Sequence, residues 1–285
     1  MHYLALSILF SSLIFVVFKL FVRYRVQTLY GIITNYIVAC LVGLAFYKGG
    51  LDIAGLPSKS WFWGAMALGV LFILVFNIMA ATSQKLGVSV ASVATKMSFV
   101  LPAVLGVFLY NEQLDSMQVL GLVIATIAVY LAAMKQSVDA FKPSMLLFPF
   151  LVFLGSGVID AAIKYFQEVH VPEHEFALFS SLIFFFAGTT GLFFIGIKAF
   201  KKPLSINYRN ILGGIALGIP NFFSIYFLLL ALGYTELNSA SIFTINNVAI
   251  VLLSTLLGIL LFQEKMSFKN WMGIGLAVLS ILLVL

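Results

Sequence analysis

Leu105-Gly106-Val107-Phe108-Leu109-Tyr110-Asn111-Glu112 and Leu257-Gly258-Ile259-Leu260-Leu261-Phe262-Gln263-Glu264 are two versions of one phrase, an apolar run closed by an amide and a glutamate. Nine residues beyond each glutamate stands a glycine, Gly121 or Gly273, opening the next apolar run. Near the front of each half, Phe18-Lys19-Leu20-Phe21 is echoed by Ile163-Lys164-Tyr165-Phe166, each followed by a short polar loop. One match alone is weak; all of them in the same order mark an internal repeat. They divide the chain into two units, residues 1–137 and 143–285.

Apolar runs bounded by charges, glycine and proline give each unit five candidate spans. Their cores are Tyr3–Val22, Leu29–Tyr47, Trp61–Thr82, Val88–Tyr110 and Met117–Met134, then Leu146–Phe166, Phe176–Ile197, Ile211–Gly233, Ser239–Phe262 and Trp271–Leu285. Runs of this length read as helices rather than barrel strands, which would alternate over about ten residues. The fold class expected is an all-α polytopic membrane protein of ten transmembrane helices in two inverted five-helix repeats. Inversion follows from the odd number: the second unit enters the membrane in the opposite sense to the first. Such repeats place a solute site near the midplane, between the halves, and permit alternating access by rocking.

Composition agrees. Of 285 residues, 62% are hydrophobic and 9% charged, with a mean hydropathy of +1.13. Soluble domains carry about a quarter of their residues as charges. A formal net charge of +6 would suggest nucleic acid in a soluble protein, but these cations are scattered between apolar runs and suit loops on an anionic membrane surface. The opening run lacks a basic leader and a small-residue cleavage signal, so it reads as a retained span. Twelve Lys and Arg residues flank the odd-numbered loops and three the even-numbered ones, which puts the odd loops in the cytoplasm and both termini outside. Cys40 lies in an apolar run and reads as a packing residue. No His/Cys spacing suggests a metal, no His-Glu-x-x-His or Gly-x-Ser-x-Gly suggests an enzyme, and no Walker-type loop suggests ATP drive. Neither a cofactor nor a catalytic residue is expected.

Lys96 is the exception within its span, eight residues into Val88–Tyr110. An ammonium at depth costs roughly 2.5–3.5 kcal/mol on insertion scales. About 12 Å of helix separates it from the start of the run, a long reach for a snorkelling stem. A cavity, a counter-charge or a ligand is the better account. Asp160 is the second costly group, with Lys164 one turn on. That spacing reads either as a mutually neutralising pair or, through Asp160, as a coupling site for protons. Asn35 and Asn77 read as interhelical hydrogen-bonding groups. Pro220-Asn221, preceded by Gly213, Gly214 and Gly218, reads as a bend that exposes backbone to a cavity, with Phe222 and Tyr226 as an apolar wall. Asn246 and Asn247 fall within two residues of Val248, the repeat-mate of Lys96. The candidate solute-binding set is therefore Lys96, Asn221, Asn246, Asn247, Tyr226 and Phe222, with Asp160 and Lys164 as candidates for coupling.

The two turns, from Pro102 through Glu112 to Gly121 and from Phe262 through Glu264 to Gly273, resemble those of the drug/metabolite transporter superfamily, in particular its EamA-type ten-helix members. The entries Gly87-Val-Ser-Val-Ala-Ser and Asn238-Ser-Ala-Ser also fit, and the resemblance covers essentially the whole chain. It implies a secondary transporter with a central cavity lined mainly by spans one to four and six to nine, spans five and ten packing outside. It also implies cytoplasmic termini, against the charge count. The second copy has Ser254 where the first has Pro102, so spans four and nine need not bend alike. Related sugar-phosphate translocators hold an anion with a lysine on span four. Here the second cation on span nine is missing, which favours a carboxylate-bearing or amphoteric, amino-acid-like metabolite. Glu112 and Glu264 read as capping residues at span ends.

The expected function is secondary transport of such a metabolite across the cytoplasmic (inner) membrane. The expected partners are a small-molecule solute, membrane lipids and possible coupling protons, without nucleic acid. The alternatives are an exchanger of sugar phosphates or nucleotide-type solutes, and a non-transporting lipid-handling or structural membrane subunit.

Overall fold

The computed structural model describes residues 2–86, 88–99, 101–102, 105, 107–108, 115–133, 147–200, 207–234, 237, 239–263 and 267–284. The turn glutamates Glu112 and Glu264, the boundary between the two units, and Lys135, Lys142, Lys201 and Lys202 lie outside them. The α-helices are α1 (His2–Arg23), α2 (Thr28–Phe46), α3 (Phe62–Leu86), α4 (Val88–Met97), α5 (Ser116–Ala133), α6 (Leu147–Val169), α7 (Phe176–Ala199), α8 (Tyr208–Tyr234), α9 (Ser239–Phe262) and α10 (Phe268–Val284). Over the described residues, seven of these (α1, α2, α3, α6, α7, α8 and α9) are long and apolar enough to cross a membrane. In lipid a backbone must satisfy its own polar groups, which a helix does within one segment.

The repeat is written into the packing. Adding five to each label maps one contact onto another: α1 packs on α8 as α6 does on α3, α2 on α8 as α7 on α3, and α1 on α9 as α6 on α4. The pairs α2–α7, α4–α9 and α5–α10 map onto themselves. Local geometry repeats too. Helix α1 ends with Val26 N–H donating to the Phe21 carbonyl at 2.8 Å, and α6 ends with Val171 N–H donating to Phe166 at 2.8 Å. The offset of 145 residues is the one that aligns Lys19 with Lys164. Gly69 and Gly218, 149 residues apart, do the same work in α3 and α8. A Cβ on Gly69 would lie 2.8 Å from the Ile183 carbonyl of α7, and one on Gly218 would lie 2.6 Å from the Asn35 carbonyl of α2.

Span four departs from the expected continuous helix. Helix α4 stops at Met97, Ser98 and Phe99 form a turn, and helix resumes at Leu101-Pro102. Pro102 has no N–H to give the Ser98 carbonyl, and its ring crowds that carbonyl. The chain tightens instead: Phe99 N–H reaches Lys96 O at 3.4 Å and Leu101 N–H reaches Ser98 O at 2.9 Å. Helix α9, with Ser254 at the matching place, runs unbroken to Phe262.

Two clasps join the halves at opposite ends. At one, the Glu175 carboxylate accepts from Lys59 at 2.5 Å and from the Trp61 indole at 3.0 Å. At the other, Gln27 N–H donates to Asn210 Oδ1 at 2.8 Å, and the Asn210 amide reaches Gln27 Oε1 at 3.5 Å. Asn210 is the 149-residue counterpart of Trp61.

Candidate functional site

A central cavity of about 90 Å³ lies between the halves. Its described lining comes from three repeat-related helix pairs. Helix α1 gives Ser11, Ile14 and Phe15, and α6 gives Ser156, Ile159, Asp160 and Ile163. Helix α3 gives Phe72, Val75, Phe76 and Met79, and α8 gives Asn221, Ser224, Ile225 and Leu228. Helix α4 gives Thr95 and Lys96, and α9 gives Asn246. The α3 and α8 sets share the spacing i, i+3, i+4, i+7, one face of a helix. Ser11 and Ser156, and Ile14 and Ile159, are mates at the 145-residue offset.

This lining differs from the one that the resemblance implied, because α2 and α7 supply none of the described lining residues. They pack against each other and against α8 and α3, behind the cavity wall.

Lys96 and Asp160 line the same cavity from opposite halves, close enough for each charge to act on the other. The Ser98 hydroxyl, in the turn that follows α4, donates to the Thr95 carbonyl at 2.5 Å. The break in α4 thus falls directly after Lys96, the cation that shares this cavity with Asp160. The partner expected for Asp160 one turn along α6 is engaged elsewhere: Lys164, buried, binds Glu168 at 2.8 Å. The helical spacing fits either pairing, but Lys164 bonds away from the cavity and Asp160 faces into it.

Asn221 faces the cavity and is fixed from behind, its amide donating to Asn35 Oδ1 of α2 at 3.1 Å. Asn35 thus makes the interhelical bond expected of it, whereas Asn77 bonds back to Ile73 O of its own helix at 2.7 Å. Asn246 bonds to Asn247 at 3.4 Å, leaving one end of each buried amide (Asn246 Oδ1 and Asn247 Nδ2) without a partner. Asn246 lies in the cavity wall; Asn247 is not among the lining residues.

Phe222 and Tyr226 do not line the cavity either. They stack on each other at 5.4 Å and pack against Phe46 of α2. Helix α8 runs unbroken through Pro220. The glycines before it serve helix contacts instead of opening backbone to the cavity: Gly214 and Gly218 meet α2, a Cβ on Gly214 lying 2.3 Å from Thr34, and Gly213 meets Val26 and Phe21. Sequence reasoning passed over Ser11, Ser156, Thr95 and Ser224. Aligning the two halves residue by residue would have found Ser11 and Ser156, which occupy matching places.

The sequence profile of the EamA-like transporter family matches residues 1–134 and again 143–285. An uncharacterized protein of Haemophilus influenzae is 28% identical over 284 residues, covering 96% of this chain and 94% of that one. A protein of known crystal structure is similar in fold, with a TM-score of 0.70 at 15% identity, over 98% of this chain and 97% of the other.

Proposed function

The chain belongs to the EamA-like transporter family, a family of multi-pass membrane proteins that move small solutes, and from that premise we propose that it carries an amino-acid-like, amphoteric metabolite across the cytoplasmic membrane by alternating access. The observation that carries the reading is the placement of Lys96 and Asp160, opposite charges from opposite halves on one cavity wall. A zwitterion's carboxylate meets Lys96 and its ammonium meets Asp160, each a charge-assisted hydrogen bond in a site shielded from bulk water. The open acceptor of Asn246 takes a further hydrogen bond from the solute's ammonium. The apolar face of α3 receives its side chain.

A solute held this way bridges the two halves, so binding and release are tied to their relative motion. The size of the cavity also supports a small solute. Ligand sites for drug-sized molecules run to about 300–1,000 Å³, and the helices around 90 Å³ must part even to admit an amino acid. A sugar phosphate or nucleotide fits less well, because span nine offers Val248 and an amide pair where a second cation would be needed. Asp160 is also the carboxylate through which protons would couple to transport.

The test is a thermal-shift screen of the purified protein against amino acids, organic acids, amines, sugar phosphates and nucleosides, followed by counterflow of each hit in liposomes. An amino acid should stabilise more than the matching amine or acid alone. Stabilisation by a sugar phosphate that survives Lys96→Gln defeats the reading. A non-transporting subunit is separated by Lys96→Cys in a Cys40→Ala background, whose thiol reacts with a water-soluble reagent only if water reaches the cavity.

A further inference from the structure

A second cavity, of about 580 Å³, lies toward the end of α1, lined by its residues from Val17 on, the turn that follows and the start of α8. Arg23, Arg25 and Arg209 line it, all exposed, together with Tyr24 and Tyr208. The rest of its described lining is apolar, and none of it is acidic. The arginines arrive from segments more than 180 residues apart, joined by the Gln27–Asn210 clasp, whose two bonding residues are separated by 183 positions.

Arg25 is held in the left-handed region at φ 54°, at the close of a helix-ending motif usually given to glycine. Val26 N–H to Phe21 O and Arg25 N–H to Val22 O complete that motif.

The repeat supplies an internal control. One bond of that ending recurs at α6, at the other end of the molecule, where Val171 N–H donates to Phe166 O, but His170, in the place of Arg25, keeps a helical bond to Phe166 O at 2.9 Å and is not in the left-handed region. There the counterparts of Arg23 and Arg25 are Glu168 and His170, and the counterpart of Arg209 at the start of α3 is Ser60. Both ends join a helix close to the start of a helix from the other half, and only one of them carries arginines at these places.

We propose that this groove binds the phosphate headgroup of an anionic phospholipid, with its acyl chains along the apolar faces of α1 and α8. Guanidinium groups match phosphate oxygens in bidentate geometry. Tyrosines favour the depth of the headgroups, and basic pockets between transmembrane helices are a recurrent form of lipid site. An inorganic anion would use the arginines and leave the apolar wall unfilled.

The experiment compares phosphatidylglycerol with phosphatidylcholine, added in neutral detergent micelles to delipidated protein and read by native mass spectrometry and thermal shift. Phosphatidylglycerol should bind as a discrete adduct and stabilise more. Arg23→Gln, Arg25→Gln and Arg209→Gln should each weaken it about fivefold, the equivalent of the ~1 kcal/mol that one basic side chain contributes near an anionic surface. Ala216→Trp, which fills the apolar wall and leaves the arginines in place, should weaken it too, and Glu168→Gln at the opposite end should not. Equal binding of phosphatidylcholine, or undiminished preference in the arginine variants, overturns the proposal. So does stabilisation by inorganic phosphate alone that Ala216→Trp leaves intact, which would make the site one for free anions.

Discussion

The two halves line the central cavity from matching positions, with different chemistry at the positions that carry charges and amides. Phe72, Val75, Phe76 and Met79 of the first half stand where the second has Asn221, Ser224, Ile225 and Leu228, and Phe15 stands where the second has Asp160. In the other direction, Lys96 matches Val248. The backbone is duplicated and, apart from Ser11 and Ser156, the polar lining groups are not. Beyond that serine pair, one repeat contributes a cation, the Thr95 hydroxyl and an apolar wall, the other a carboxylate, two amides and the Ser224 hydroxyl. A pseudo-symmetric frame can rock between two equivalent arrangements while an asymmetric lining recognises an asymmetric solute.

The comparison is tested hardest at Lys96 and Asp160. Lys96→Met and Asp160→Leu should each abolish transport, a loss beyond a hundredfold. Each should also destabilise the protein, because removing one member of a buried pair strands the other, at about 3–5 kcal/mol in the strongest cases. The double variant should regain thermal stability and remain inactive. Recovery of transport together with stability would mean that the pair is only structural. Asp160→Asn separates coupling from binding: solute exchange in liposomes should outlast proton-driven uptake.

The next effect in size belongs to the amide on α9. Asn246→Leu gives that face the apolar character of the matching α4 positions and removes one hydrogen bond to the solute. A hydrogen bond to a charged group contributes about 1.5–3 kcal/mol, so solute affinity measured by thermal shift should fall roughly ten- to a hundredfold. No change would remove Asn246 from the site.

Much of this asymmetry was legible in the sequence, and the reasons differ by residue. Lys96 and Asp160 stand out because a charge deep in an apolar run is costly whatever its surroundings. Their pairing was not legible. Asp160 and Lys164 obey the one-turn rule, and nothing local says that Lys164 will choose Glu168, one turn further on. Phe222 and Tyr226 were misplaced for a related reason: adjacency to Asn221 along the chain is not adjacency in space on a helix, where Asn221 faces the cavity and its neighbour Phe222 faces α2. The break in α4 was half visible, since Pro102 was noted as absent from the second copy, but its effect falls four residues earlier, beside Lys96.

Asn221 also tests whether the cavity wall depends on the helix behind it. Asn221→Ala leaves Asn35 Oδ1 buried without its donor. Interhelical hydrogen bonds in membranes contribute about 0.6 kcal/mol on average and up to about 1.7. A loss of that size is expected in unfolding experiments. Asn77→Ala, which touches a bond within one helix, should cost less, and equal costs would show that the α2–α8 link adds no stability of its own.

The smallest effect is expected at the clasps, where the halves again differ in chemistry and agree in position. The charged clasp joins Lys59 and Trp61 to Glu175, and the neutral one joins Gln27 to Asn210. Charge does not make the first much stronger, because the Lys59 side chain is 37% exposed and water screens the pair. Lys59→Ala should cost at most about 0.5 kcal/mol. Glu175→Ala should cost more, since the Trp61 indole, 1% exposed, then loses its acceptor. The hydrogen bond to Glu175 holds the Lys59 ammonium above its usual 10.5. A raised lysine contributes stability fully below its unfolded value and loses it as pH rises through the folded one. The difference between wild type and Lys59→Ala should therefore stay constant from pH 6 to 9 and close only in strongly alkaline solution. A difference that already vanishes near neutrality would mean that the lysine's charge plays no part in holding this end shut.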